Sequence, residues 1–310
     1  MNFNKTKDRL YFLPFAIILG IALLLAGCRT PQVVPPAPPP ATQTTPAATP
    51  SASPQPTATP QPLAAQINGE DLPLAILQAE IVRLQTGRAD IGLVPLPEEQ
   101  AATLALNELI SQTLLAQAAY ADGYQSDESA LNAWLQEMRT ARADTWETWL
   151  KENAYPSEDH LLTDLRRQAA AAWQRERILA AVPETMLQVH ARQILLYNLD
   201  TAQNVYAQLQ QGADFASLAA QYNPLTLGDL GWFPRGYLPI PQVEAAAFAL
   251  QPGAYSDIIE SDLGYHILQT LEKDDARALS DDARLVLQAQ ALKTWLQNRR
   301  QNSVIILYPP

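Results

Sequence analysis

The chain holds a single cysteine in 310 residues. Cys28 has no partner in its own chain, which excludes an intramolecular disulfide and a cysteine zinc site. Histidine is scarce as well. His160, His190 and His266 are too scattered for the ligand spacing of a zinc site, so neither a metal nor another cofactor is expected. Positive charge is thin: 21 Lys and Arg stand against 32 Asp and Glu, a net charge of −11. Phosphate contacts need clustered Lys and Arg, so nucleic acid is not an expected partner, nor is docking on anionic lipid. Charge of either sign is missing between Thr30 and Gly69. A hydrophobic run long enough to span a bilayer is also missing. Leu10 to Leu25 is shorter than the roughly 20 residues a spanning helix needs, and Pro14 interrupts it. What remains is 47% apolar and 17% charged residues, enough for two cores.

The first residues have the layout of an export signal. Lys5, Lys7 and Arg9 precede the apolar run, and small residues close it at Ala26-Gly27. Leu25-Ala26-Gly27-Cys28 resembles a bacterial lipobox, which implies a signal peptide over 1–28 and lipidation of Cys28. The alternative is an uncleaved transmembrane anchor. Either way the bulk of the protein is expected outside the cytoplasm, anchored to the cell membrane. Residues 29–63 are expected to be a disordered tether, because Pro31 to Pro62 is almost wholly Pro, Ala, Thr, Gln and Ser. In a polyproline conformation, at about 3.1 Å per residue, it would reach on the order of 100 Å.

Asn68-Gly69 predicts a tight turn between two short strands. Pro73 suits a helix start, and Leu74, Leu77, Ile81 and Leu84 continue at helical spacing. A second helix is expected from Pro97 to Ala121, with Leu104, Leu106, Leu109, Ile110, Leu114, Leu115 and Ala118 on one apolar face, closed at Gly123. Ser126-Asp127-Glu128 caps a third helix, Asp144 to Lys151 forms a fourth, and Ser157-Glu158 opens a fifth that ends before Pro183. Trp134, Trp146, Trp149 and Trp173 are expected in the packing between these helices. The order of strand, Asn-Gly turn, helix and Leu106-Asn107-Glu108-Leu109-Ile110 resembles the N-terminal chaperone module of SurA/PrsA-type foldases. That resemblance implies a module over 64–184 that cradles unfolded chains. It also implies that residues 273–310, a helix and a short strand from Val304 to Tyr308, return to pack on the module.

Between His190 and Leu271 the pattern is strand, helix, helix, loop, short helix, strand. Gly212 closes one helix and Asp214 caps the next. Gly228 to Gly236 is glycine-rich and expected to be irregular, and Ile258-Ile259 should pair with Tyr265 to Thr270. Gly212-Ala213-Asp214-Phe215, Gly228-Asp229-Leu230-Gly231-Trp232-Phe233, Arg235-Gly236, Ala246 to Leu250 and Gly264-Tyr265-His266 stand in order. Together they resemble the parvulin type of peptidyl-prolyl isomerase, implying such a domain over 185–272. The expected fold class is α+β: a mainly helical module with an inserted parvulin-like antiparallel sheet and flanking helices.

The resemblance implies a prolyl cis-trans isomerase acting on X-Pro bonds of unfolded or partly folded exported polypeptides. The catalytic pair it implies is two facing histidines beside a Cys or Asp, with Met and Phe forming a proline slot. Carried over, the second histidine is His266. The first falls on Gln193, in Ala191-Arg192-Gln193-Ile194-Leu195, and Gln can hydrogen-bond but cannot titrate. His190, three residues upstream, falls on the opposite strand face. After Tyr222-Asn223 the sequence Pro224-Leu225-Thr226-Leu227-Gly228 carries neither thiol nor carboxylate. Leu238 stands at the Met position and Val243 at the Phe position, and Phe248 completes the substrate-binding set. Two functions follow: a membrane-tethered foldase with isomerase activity, and a non-catalytic holdase with a degenerate parvulin domain.

Overall fold

The computed structural model describes residues 62–153 and 155–308. The expectations for the signal segment, for Cys28 and for nearly all of the tether lie outside the described residues. The described part is α+β, with a small sheet built into a helical bundle and a larger antiparallel sheet flanked by helices.

Strands β1 (Leu63–Ile67) and β2 (Glu70–Pro73) are joined at Asn68-Gly69. Both turn residues have positive φ, 51° and 86°, as a two-residue turn matched to strand twist requires. Helices α1 (Leu74–Asp90), α2 (Glu98–Ala121), α3 (Glu128–Arg142), α4 (Trp146–Glu152) and α5 (Glu158–Ala180) follow. Asp127 and Ser157 cap α3 and α5 through Ala130 N–H and His160 N–H. A 3-10 turn at Ala143–Thr145 precedes α4, so the fourth helix starts later than its sequence suggested.

Ala65, Ile67, Leu72, Leu77, Leu109, Ile110 and Leu114 form one core between the hairpin, α1 and α2. Leu104 is excluded from it at 51% exposure. Five residues before Leu109, it lies about 140° round the helix and faces water. Trp146 is buried with Leu131, Leu135, Leu150 and Leu161, and its indole N–H donates to Glu158 at 2.7 Å. Trp134 and Trp149 pack on this second core and Trp173 on a third. All four tryptophans are thus packing residues.

The larger sheet has the order β4-β3-β6-β5, antiparallel throughout: β3 (Thr185–Leu196), β4 (Asp229–Pro234), β5 (Ile259–Ser261) and β6 (Gly264–Ala278). One face carries α6 (Leu199–Gln210) and α7 (Phe215–Tyr222), with Ile194, Leu196 and Ile267 against Val205, Leu209, Phe215 and Leu218. The other carries α8 (Pro241–Ala249), with Val189, Ala191, Phe233 and Leu268 under Val243, Ala247 and Phe248. The segment expected to be irregular is in part a strand. Residues 229–234 pair with β3 at the sheet edge, where a bulge at Ala191/Arg192 absorbs the mismatch that the glycines announce.

β3 and β6 also run on together to Thr185 and Ala278, in β6 beyond the stretch its apolar residues mark. From there α9 (Asp281–Gln301) and β7 (Ile305–Leu307) lead back. β7 pairs with β1, placing the last described residues beside the first.

Candidate functional site

Gln193 on β3 faces Leu268, and Leu195 faces His266 on β6. Residues two apart share a strand face, so Gln193 and His266 are diagonal neighbours on the α8 side of the sheet. Their side chains meet, with His266 Nδ1 2.9 Å from Gln193 Oε1. The other ring nitrogen, Nε2, lies 2.7 Å from Ser261 Oγ on β5. That hydroxyl also accepts the Leu263 N–H at 3.1 Å. With the ring neutral, Nδ1–H donates to Gln193 and the Ser261 hydroxyl donates to Nε2; with Nε2 protonated, the hydroxyl would accept from the ring and turn to Gly264 O at 3.4 Å. Burial favours the neutral form, because His266 is 1% exposed and desolvation lowers its pKa from the ordinary imidazole value.

Gln193 and Ser261 are both half-buried, one on either side of the buried ring. The loop from Asn223 to Gly228 is pressed onto Gln193, whose N–H donates to Gly228 O at 2.7 Å. Gly228 has φ +72°, and a Cβ there would come 2.1 Å from Gln193 O, so only glycine permits this approach. Asn223 Oδ1 accepts the Leu195 N–H, tying the near end of the loop to the same strand.

The residues expected to line the slot lie beside the relay in one apolar cluster. Val243 and Phe248 are buried at 3% and 6% exposure, while Leu238, Leu230 and Tyr237 are partly exposed around them. Phe248 meets Phe233 edge to face, and Arg235 lies over its ring at 4.2 Å. Glu244, in the first turn of α8, accepts the N–H groups of Gly236 and Leu238 at 2.8 and 3.0 Å, fixing the turn that presents Leu238. From β6, Thr270 and Lys273 donate to Ala247 O and Phe248 O at 2.7 Å and close the helix end. Leu268, beside His266 on β6, forms the floor of this cluster.

The other two histidines are engaged elsewhere. His190 stacks on Trp232 and bonds Asp229 at 2.9 Å, and His160 bonds the Ser157 hydroxyl. Among the described residues no group of three or more His, Cys, Asp and Glu is placed to hold a metal. Sequence reasoning missed Ser261. Ser261 could have been found from the hairpin, since it stands opposite Gly264 across the β5–β6 turn. Glu244 could have been found as an acidic residue in a helix's first turn.

Comparison with known proteins bears on the same segment. Residues 178–272 match the Rotamase family, described as PPIC-type PPIASE domain. A foldase protein PrsA of Caldanaerobacter subterraneus subsp. tengcongensis is 40% identical over 87 residues, which are 26% of this chain and 28% of that protein. Foldase protein PrsA 4 of Bacillus cereus is 27% identical over 172 residues, 52% of this chain and 60% of the relative. The chain thus spans about a quarter to three-fifths of the length of these curated relatives. A crystal structure of a peptidylprolyl isomerase (PrsA) from Bacillus cereus aligns with 66% of this chain and 78% of its own, at 24% identity and a TM-score of 0.40. Residues 178–272 of this chain are a rotamase domain of the PpiC, or parvulin, type.

Proposed function

We propose that this protein is an extracytoplasmic foldase, tethered to a membrane through lipidated Cys28, that accelerates cis-trans isomerisation of X-Pro bonds in exported polypeptides. The observation that carries the proposal is the Ser261–His266–Gln193 relay beside the apolar cluster of Leu238, Val243 and Phe248. The names of the matching relatives, foldases, support it. Residues 64–184, with 273–310 packed on them, would be the module that holds the unfolded client, and 185–272 the isomerase.

The chemistry asks little of the side chains. Partial double-bond character sets a barrier of roughly 18–20 kcal/mol, and no covalent bond need form to lower it. A proline ring seated against the apolar cluster, with its preceding amide over Gln193, would sit where water is excluded and a fixed dipole faces the twisted amide. Gln193 is the group that would touch the client. His266 is buried beneath it, so its role is that of a positioning residue, holding the amide of Gln193 in one orientation.

A second reading rests on a specific feature. The loop from Pro224 to Gly228 has no thiol or carboxylate, and aliphatic Val243 replaces an aromatic wall. The domain would then bind clients without isomerising them, the helical module acting as holdase. A protease-coupled assay of proline isomerisation on the full chain decides between the two. The expected result is acceleration above the uncatalysed rate, which corresponds to tens of seconds or longer. A rate equal to background, together with suppressed aggregation of an unfolded client, overturns the isomerase in favour of the holdase.

A further inference from the structure

We infer that β7 is an open docking edge that takes an extended, proline-free segment of the client as a fourth strand in the sheet of β2, β1 and β7. The inference rests on the reading above that the helical module holds unfolded chains, and adds where it does so and through which groups.

Among the described residues the two sheets have four edge strands, β2 and β7 in one and β4 and β5 in the other. An unpaired edge invites further pairing, and charge or proline on it discourages that. β2 reads Glu-Asp-Leu-Pro, β4 begins with Asp229 and ends with Pro234, and β5 carries Glu260. β7 reads Ile-Ile-Leu, and no charged residue stands anywhere from Gln301 to Pro310. Three edges are blunted and the fourth is not.

The ladder to β1 shows which groups that edge offers. Tyr308 N–H donates to Ala64 O at 3.0 Å, Asn68 N–H donates to Val304 O at 2.8 Å, and Ile306 stands opposite Gln66 between them. These residues turn their backbone groups toward β1. In an antiparallel ladder the alternate residues turn theirs away, so the N–H and C=O of Ile305 and Leu307 point out from the free edge. The strand is held ready for pairing. The Ile305 side chain packs on the core between the hairpin, α1 and α2, and Asn68 Oδ1 takes the Val304 N–H. Val304, Ile306 and Tyr308 are 65%, 43% and 39% exposed, and Leu307, with its side chain on the other sheet face, is 58% exposed. Apolar surface thus flanks the outward donors and acceptors on both faces.

That chemistry selects the occupant. A lipid tail has no donors or acceptors to match the row. The segment from Pro31 to Pro62 is rich in proline, which lacks the N–H a strand partner must give. A second copy brings its own net charge of −11, and two strands this short cannot bury the roughly 1,200 Å² of a stable interface. An unfolded polypeptide supplies N–H and C=O at every residue but proline, whatever its side chains, which suits a holder of many sequences. The edge would take the stretches between prolines, and the rotamase domain the X-Pro bonds.

The test titrates the isotope-labelled full chain with acetyl-Ser-Val-Thr-Leu-Thr-Val-Ser-amide, and with the same peptide N-methylated at every interior residue. The methylated peptide keeps the side chains and loses the donors. The first should slow exchange of the Ile305 and Leu307 amides. The second should bind at least about tenfold more weakly, the factor that two modest backbone hydrogen bonds amount to. Leu307→Pro removes one outward N–H and leaves the ladder to β1 intact, a placement an edge strand tolerates. Leu307→Lys keeps the N–H and adds charge to the edge. Both should cut suppression of reduced α-lactalbumin aggregation at least about threefold, with the thermal midpoint and isomerase rate unchanged. Should Leu307→Pro lower the midpoint, Leu307→Lys alone decides. Unchanged suppression in Leu307→Lys, or equal binding of the two peptides, overturns the inference and leaves the client-holding reading standing. Protection of the Ile305 and Leu307 amides in the free chain that grows with its concentration overturns it in favour of a second copy. If the chain suppresses no aggregation, the peptides still decide. Protection of those amides by the first peptide alone supports the edge while the client-holding reading fails; no binding overturns both.

Discussion

At the scale of single residues, the proposed site turns on Gln193. Its side-chain amide accepts from His266 Nδ1, so it is held in one orientation by a ring that is itself held by Ser261. Replacing Gln193 with histidine would put two imidazoles face to face, one of which could donate to an amide oxygen and titrate near neutral pH. Gln193→His is therefore expected to raise isomerase activity several-fold while moving stability by less than about 1 kcal/mol, since the position is half-buried and both side chains hydrogen-bond. Parallel isomerisation and urea-unfolding measurements check this. Equal rates for the two proteins would mean that the position does not act on the bond. Gln193 and His266 were legible because each stands inside a run of recognisable neighbours, Ala191 to Leu195 and Gly264 to His266. Ser261 was not, because a lone serine carries no periodicity or spacing, and only the β5–β6 pairing brings it under the ring.

At the scale of elements, turn chemistry was more legible than strand ends. Asn68-Gly69 announced the β1–β2 hairpin, and Asp127, Ser157 and Asp214 cap the helices their positions suggested. The edge strand β4 was hidden because its glycines read as loop. The length of β6 was hidden because its outer half, Glu272 to Arg277, is mostly polar and paired with the start of β3. Asn68 has a role that no local pattern reveals. Its N–H donates to Val304 O at 2.8 Å, its side-chain oxygen accepts the Val304 N–H at 2.9 Å, and its amide nitrogen donates to Gln117 Oε1 at 2.8 Å. The hairpin turn is thus fastened to the segment that leads into β7. Asn68→Gly retains a residue at ease with φ 51° but removes all three side-chain bonds, to Val304 N–H, Gln117 and the Ser303 hydroxyl. A loss of about 1–2 kcal/mol is expected in urea unfolding, one modest net contribution per hydrogen bond. An unchanged midpoint would show that the turn alone, without its fastening, holds β1 in place.

At the scale of the whole molecule, the first and last described strands meet while the rotamase domain lies between them in sequence. β1 pairs with β7, Arg300 donates to Asn107 and Ser111 on α2, and Gln288 donates to Leu179 O on α5. α9 also reaches the rotamase side, where Gln290 donates to Gly236 O beside the turn of Leu238. Client held by the helices and bond turned by the rotamase domain would therefore be handled on one connected body. What would bring that body to a membrane must be argued from the sequence. Among the described residues no helix is long and apolar enough to cross one, and the described surface belongs to a chain of net charge −11, which anionic lipid would repel. The proposed attachment is acylation of Cys28 behind Leu25-Ala26-Gly27. A lipid chain contributes about 0.8 kcal/mol per buried methylene, so anchoring by acylation depends on that one sulfur. Cys28→Ala is expected to shift the protein from the membrane pellet to the soluble fraction, or to leave an unprocessed precursor of higher mass, with the isomerase rate of purified protein unchanged. If the protein with and without Cys28→Ala instead stays in the pellet at the same full-length mass and resists high salt, the uncleaved apolar run holds it as a helix, and lipidation is not the anchor.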